Sequence, residues 1–452
     1  MADVATTRRL VSSRGGALDR EIARLAIPAF TALVSEPAFL LADAAIVGHL
    51  GTAQLAGLGL AGMVVQTAVG MCVFLAYGTT AAVARAVGGG EPRAAARLGI
   101  DGVWLALLIG LVATALIAAT AAPLLDAFGP SPAVRGYAVT YLRIAAFGVP
   151  SLLVVLAATG VIRGLQDTRT PLVVTVGANI VNIGLNLALV YAAGLGIAGS
   201  ALGTVLAQTA GATALTAVVV RHARNVDASL RPDASGVRQS AKAGVPLIVR
   251  TVCLRVALLL MTYVAAGIGT VAVAAHQVAF TVWTFLAFAL DAIAIADQAI
   301  TGRLLGARDG EGAKAATRRM IRWGVVAGLV AATGLLASRS VVPGLFTSDP
   351  DVQRAASAAL LVAALHQPVA GVVFVLDGVL IGAGDGRYLA WASLWTLLVF
   401  APLALLVRGF GSSLTLLWWA FTGYMLARLV TLVARERTGR WAVVGVRRQP
   451  VR

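Results

Sequence analysis

Positions 218 residues apart in this chain carry the same punctuation. Pro28 returns as Pro246, Gly51-Thr52 as Gly269-Thr270, Arg85 as Arg303 and Gly88 as Gly306. Phe128 returns as Phe346, Pro132 as Pro350 and Pro150 as Pro368. The run from Gly160 to Arg169 (GVIRGLQDTR) returns as Gly378 to Arg387 (GVLIGAGDGR) with no slip in register. A period this long is not a solenoid unit. It describes two homologous lobes.

Composition decides what the lobes are made of. A hydrophobic fraction of 59%, a charged fraction of 12% and a mean hydropathy of +0.87 exclude an ordinary soluble domain. Apolar runs long enough to cross ~30 Å of hydrocarbon recur along the chain. We place them at 22–47, 54–84, 98–122, 137–162, 171–193 and 197–220, then at 242–266, 271–301, 319–341, 355–381, 388–408 and 411–434. They lack period-2 alternation, so helix is the expected spanning element. The expected fold is an all-α integral membrane protein with twelve transmembrane helices in two six-helix bundles. An even number of spans per lobe makes the repeats parallel, and internal duplication is a common ground plan of secondary transporters.

A net charge of +16 would point to nucleic acid in a soluble chain. Here the arginines sit between spans, on alternate connections. Arg8, Arg9, Arg14 and Arg20 precede the first span and Arg24 stands at its start; Arg85, Arg93 and Arg97 follow the second; Arg435, Arg437, Arg440, Arg447, Arg448 and Arg452 end the chain. The positive-inside rule then puts both termini in the cytoplasm of a cell whose plasma (inner) membrane holds the protein. The expected organisation is a cytoplasmic segment 1–20, an N-lobe 21–220, a linker 221–241, a C-lobe 242–434 and a basic tail 435–452. No cleavable signal segment is read before residue 20. Cys72 and Cys253 lie inside spans and suggest neither a disulfide framework nor a metal site. Gly57-Leu58-Gly59-Leu60-Ala61-Gly62 matches a dinucleotide fingerprint but follows no strand, so helix packing is the better reading. Nothing here supplies ATP hydrolysis or clusters a nucleophile with a base, so no enzyme and no cofactor are expected.

Ionisable groups inside spans are costly and mark function by default. The first span holds Pro28, then Glu36-Pro37, then Asp43. Each proline deletes a backbone donor, which gives the helix a hinge. Glu36 and Asp43 are two helical turns apart on one face and are proton-coupling candidates. Asn179, Asn182 and Asn186 form an amide stripe on span five, and Thr204 on span six can join it. The stripe can bond Asp43 or simply hold helices together. The second lobe carries Arg250, Arg255, Asp291, Asp297 and Asp377, for which ion pairing is expected, with Arg250 paired to Asp291 or Asp377. Tyr263 and Gln277 are candidate cavity residues.

These features together resemble the multidrug and toxic compound extrusion (MATE) family, and within it the branch of DNA-damage-inducible membrane proteins. The residues that carry the resemblance, over about 20–435, are Pro28, Glu36-Pro37…Asp43…Gly48 with its continuation His49-Leu50-Gly51-Thr52-Ala53-Gln54-Leu55-Ala56, Arg163-Gly164…Asp167-Thr168…Pro171, Asn182…Asn186 and Gly196-Ile197-Ala198-Gly199-Ser200-Ala201…Thr204. The resemblance implies a monomeric antiporter in the lipid bilayer that exports small organic, cationic or amphipathic compounds in exchange for H⁺ or Na⁺. It needs no nucleic acid and no obligate protein partner. It implies that Asp43 is the first-helix acid whose protonation accompanies bending at Pro28, with Asn182, Asn186 and Thr204 as its partners. Many relatives have Asp where this chain has Asn186. One fewer anionic oxygen favours H⁺ over Na⁺. A Na⁺-coupled antiporter and a lipid-linked precursor flippase of the same superfamily remain the alternatives.

Overall fold

Helix lets an apolar run satisfy its own backbone groups without water. The computed structural model describes residues 2–411 and 413–445, with side chains from Gly16 onward except at 410 and 411. The tail arginines Arg447, Arg448 and Arg452, and the side chains of Arg8, Arg9 and Arg14, lie outside this description. Among the described residues there are α-helices and no strands. The first half holds α1 (Ala2–Gly48), α2 (Thr52–Met71), α3 (Phe74–Gly88), α4 (Pro92–Asp126), α5 (Pro132–Ala145), α6 (Val149–Gly164), α7 (Arg169–Leu187) and α8 (Gly196–Asn225). The second holds α9 (Ala234–Ile268), α10 (Thr270–Gly306), α11 (Gly310–Ser338), α12 (Pro350–Leu365), α13 (Gln367–Gly382), α14 (Gly386–Leu406) and α15 (Leu414–Arg437). Among the described residues eleven helical segments are long and apolar enough to cross a membrane, and the pair α12–α13, bent by 53°, makes a twelfth if it is one span.

The duplication extends to the irregularities. The fourth and tenth spans are both interrupted just before a proline, at Ala146–Gly148 and at His366. Proline removes a donor and crowds the preceding turn, the usual cause of a sharp kink. The carbonyl that Pro150 leaves without a helical partner, that of Ala146, accepts from Thr114 Oγ1 at 2.7 Å. The fifth and eleventh spans both widen into a π-helical turn, at Ala188–Ala192 and Val407–Gly411.

Small residues stand where backbones touch. A Cβ on Gly328 of α11 would lie 2.5 Å from the Gln367 carbonyl oxygen and 2.7 Å from Pro368 Cα. Its equivalent Gly110 on α4 presses on Pro150 in the same way. Backbone atoms cannot swing aside, so Gly328→Ala is expected to cost ~1–3 kcal/mol, as overpacking does. Gly334→Ala, with open space around it on the same helix, should be neutral. Unfolding midpoints of the two variants in detergent check this. A second contrast concerns backbone strain. Gly90 has φ 71°, and its equivalent in the second half is Arg308, with φ 63°. A side chain pays for that left-handed conformation, so Arg308→Gly is expected to raise stability by up to ~1 kcal/mol. An unchanged midpoint would mean that contacts of the Arg308 side chain offset the strain.

The chain forms two compact units, residues 31–244 and residues 1–30 with 245–452. The changeovers fall inside helices, between Phe30 and Thr31 in α1 and between Gly244 and Val245 in α9. Residues 221–241, expected as a linker, are the end of α8, a short loop and the start of α9. Within the second unit, Asp19 accepts from Arg319 Nε at 2.7 Å and from Trp323 Nε1 at 2.8 Å, and Glu21 accepts from Arg303 at 2.6 Å. These bonds fasten the first part of α1 to α10 and α11. Within the first unit, the Asp101 carboxylate accepts the Asp233 backbone N–H at 3.0 Å, just before α9 begins. Asp233, in that loop, is itself held below the usual carboxylate range by the Ser235 hydroxyl and amide.

Candidate functional site

α1 runs unbroken through both of its prolines, with Pro28 buried and Pro37 half-buried. Its second part is tied to α7 and α8 at three levels. Asn179 Nδ2 donates to the Ser35 carbonyl at 3.4 Å. Two turns further along, Asn186 Nδ2 donates to Asp43 Oδ1 at 2.7 Å, and Ser200 Oγ of α8 donates to the same oxygen at 2.8 Å. At the end of the helix, Tyr191 on the π-helical turn donates to the Ile46 carbonyl at 2.7 Å. That carbonyl belongs to the last turn of α1, where helical partners run out.

Asp43 is 4% exposed, while Asn186 and Ser200 are fully enclosed. Among the described residues no cationic side chain lies within ion-pair distance of Asp43. The buried Tyr141 hydroxyl of α5 faces Thr204 and Ser200 and lies within electrostatic reach of Asp43. Thr204 Oγ1, Asn182 Oδ1 and Asn186 Oδ1 are enclosed without a hydrogen-bond partner of good geometry. The acid thus sits in a pocket of hydroxyls and amides, with acceptor atoms in reserve and no counter-charge. Glu36 is different: its side chain is exposed and stands beside Gln66 of α2.

The second unit gathers charge elsewhere. Arg250 of α9 forks onto Asp377 of α13, with Nε donating to Oδ1 at 3.1 Å and Nη2 donating to Oδ2. Arg428 of α15 donates to Asp377 Oδ2 at 3.1 Å and lies 5.9 Å from the centre of the Tyr424 ring. Asp297 of α10 is fully buried and pairs with neither arginine. Asp291 is half-buried; Arg255 and Gln277 are exposed; Tyr263 is exposed under the Arg408 guanidinium, 4.4 Å from the ring centre.

The duplication shows what replaces the Asp43 pocket in the second unit. Asp43 corresponds to the buried Met261, Ser200 to Trp418 and Thr204 to Thr422. Trp418 stacks on His366 at 6.3 Å and lies 5.9 Å from His276. His366 Nδ1 meets Thr422 Oγ1 at 3.2 Å, and His276 Nε2 meets Thr262 Oγ1 at 3.3 Å. The second unit therefore has an aromatic and imidazole cluster in place of a carboxylate.

Both stretches that match the MatE family model, residues 28–188 and 246–406, are displaced by the same 218 residues. The chain belongs to the MatE family. Members are membrane transporters and not enzymes, and this chain is a multi-pass membrane transporter. It is 30% identical over 440 residues to the DNA damage-inducible protein F of Escherichia coli, covering 94% of each chain. It is 31% identical over 455 residues to the chloroplastic Protein DETOXIFICATION 44 of Arabidopsis thaliana, covering 95% of this chain and 84% of that one. A Vibrio cholerae MATE transporter shares the fold with a TM-score of 0.87 at 20% identity, over 95% of this chain and 99% of that one. A MATE crystal structure in a bent conformation gives 0.86 at 21% identity, over 94% and 95%.

Several residues of these sites were not singled out from the sequence. Ser200 stands four residues before Thr204 on the same helical face, a spacing that could have marked it. Arg428 is the one arginine inside the last apolar run, before the basic tail. Tyr141 and Tyr191 carried no signal, because a tyrosine in a span is ordinary at its ends.

Proposed function

We propose that the protein is a proton-coupled exporter of organic cationic or amphipathic compounds, with Asp43 as the proton carrier. The observation that carries this reading is a buried carboxylate with two neutral donors on one oxygen and no cation beside it. Such a group keeps its charge only by virtue of those two bonds. A proton cancels the charge and turns the acid into a donor, and the unpartnered oxygen of Asn186, the amide that meets Asp43, is an acceptor for it. The bonds along α1 then rearrange. Because α1 contains Pro28 and Pro37, it yields at low cost. Substrate and proton need only bind the two states of the helix with different affinity for exchange to result.

Two relatives are named as probable multidrug resistance proteins, which supports export of foreign compounds. The amide at Asn186 offers a donor to Asp43, where a Na⁺ shell needs oxygens. Na⁺ coupling keeps one point in its favour, since the same unpartnered oxygens are hard-cation ligands. The positive-inside distribution supports cytoplasmic termini in the plasma membrane.

The test is dye efflux from proteoliposomes with ethidium or Hoechst, driven by an imposed pH gradient without Na⁺ and, separately, by a Na⁺ gradient without ΔpH. Transport under ΔpH that is lost in Asp43→Asn supports the reading. Transport under Na⁺ alone replaces the proton by Na⁺. Failure of both gradients to move any dye favours the precursor flippase, to be assayed with a fluorescent polyprenyl pyrophosphate.

A further inference from the structure

Asp297 is the most anomalous group in the second unit. It is fully buried near the end of α10, and neither carboxyl oxygen has a hydrogen-bond partner. The duplication explains what the position demands. Its equivalent in the first unit is Thr79, which is also buried. Thr79 Oγ1 donates to the Leu75 carbonyl at 2.5 Å, and the carbonyls of Ala76 and Ala157 lie at 3.1 and 3.4 Å. The hydroxyl thus hangs a donor among carbonyl oxygens of α3 and α6.

The same seam exists between α10 and α13. Gly378, the equivalent of Gly160, lets the two backbones meet: a Cβ there would lie 2.5 Å from the Ala294 carbonyl oxygen. Gly382 does the same against Gln298. The counterparts of Leu75, Ala76 and Ala157 are Ile293, Ala294 and Val375, and their carbonyls are the neighbours that the duplication predicts for a side chain at 297. An ionised carboxylate has only acceptors to offer to acceptors. A carboxylic acid has one O–H to give, as threonine does.

Charged neighbours do not rescue the anion. On α13, Asp377 is engaged by Arg250 and Arg428. α11 carries Glu311, Lys314, Arg318, Arg319 and Arg322 in its first half, and α12 carries Asp351 and Arg354 in its first turns. α10 itself carries His276, Asp291 and Arg303. Among the described residues none of these groups hydrogen-bonds to either carboxyl oxygen of Asp297.

We propose that Asp297 is a proton-binding site of the second unit, held as a neutral carboxylic acid whose O–H donates to a main-chain carbonyl of α10 or α13. It is separate from Asp43, and the proposal holds whichever ion drives transport. The bound proton closes the α10–α13 seam. Release of that proton requires water to enter the seam, so the site reports the opening of these two helices.

The experiment is infrared spectroscopy on the full chain in lipid nanodiscs at neutral pH, with aspartate labelled at the side-chain carboxyl carbon. Wild type is compared with Asp297→Asn, Asp297→Thr and Asp43→Asn. A C=O stretch of a protonated acid in a dry environment is expected in wild type and in Asp43→Asn, and absent from both position-297 variants. Both of those variants should fold, because each supplies a neutral donor where Thr79 supplies one. An unchanged acid band in a folded Asp297→Asn or Asp297→Thr overturns the proposal. Failure of both to fold also overturns it, since it would mean that the negative charge itself is needed.

Discussion

Asp377→Ala is expected to cost about 3–5 kcal/mol, the penalty for leaving a buried charge without its partner. Asp377 stands between two guanidinium groups, with Arg250 12% exposed and Arg428 10% exposed at their side chains. Removing the acid leaves two enclosed cations facing each other from α9 and α15. Truncating either arginine alone is milder, because the acid keeps one partner. The triple replacement Arg250→Met, Asp377→Leu, Arg428→Met should recover most of the loss, since a buried ionic cluster is often no more stable than apolar side chains of similar volume. The control is Asp351→Ala, which breaks the exposed pair with Arg354 and should cost less than ~1 kcal/mol. Unfolding midpoints by size-exclusion after heating rank these variants. If Asp377→Ala unfolds no earlier than Asp351→Ala, the cluster is not what holds α9, α13 and α15 together.

Asp43→Asn is expected to fold normally and to reduce ΔpH-driven efflux to the level of empty liposomes. The amide oxygen can still accept from Asn186 Nδ2 and Ser200 Oγ, so the pocket keeps both of its bonds. What disappears is the site where a proton binds. Binding of the dye should survive, which separates loss of coupling from loss of substrate. Ser200→Ala removes one of the two donors and leaves the acid. It should slow transport and move its pH dependence without abolishing it. A substantial ΔpH-driven rate in folded Asp43→Asn would remove Asp43 as carrier and turn attention to Glu36 and Asp297.

The plan of the molecule was legible because membrane insertion reads length and apolarity, which are properties of the sequence. The helix breaks before Pro150 and Pro368 follow from the missing N–H of proline, and close packing at Gly110 and Gly328 follows from the missing Cβ. These are local causes, and the 218-residue register exposed each one twice. The partner choices were not legible. Arg250 had both Asp291 and Asp377 available, and the fork onto Asp377, much the farther of the two in sequence, together with Arg428 depends on how α9, α13 and α15 pack. Of the three asparagines on α7, only Asn186 reaches Asp43, because a stripe fixes a face and not the depth at which another helix presents its acid.

The sequence by itself determined two homologous lobes of spanning helices, an acid on a proline-bearing first helix and the absence of a matching acid at Met261. Only the tertiary structure decided which donors meet Asp43, that Asp377 holds two arginines, that Asp297 has no partner, and that α1 changes units between Phe30 and Thr31. The physical reason is one of range. Apolarity, proline and glycine act on the few residues around them, whereas a buried charge is settled by whatever neighbours the packing of distant helices brings within hydrogen-bond reach.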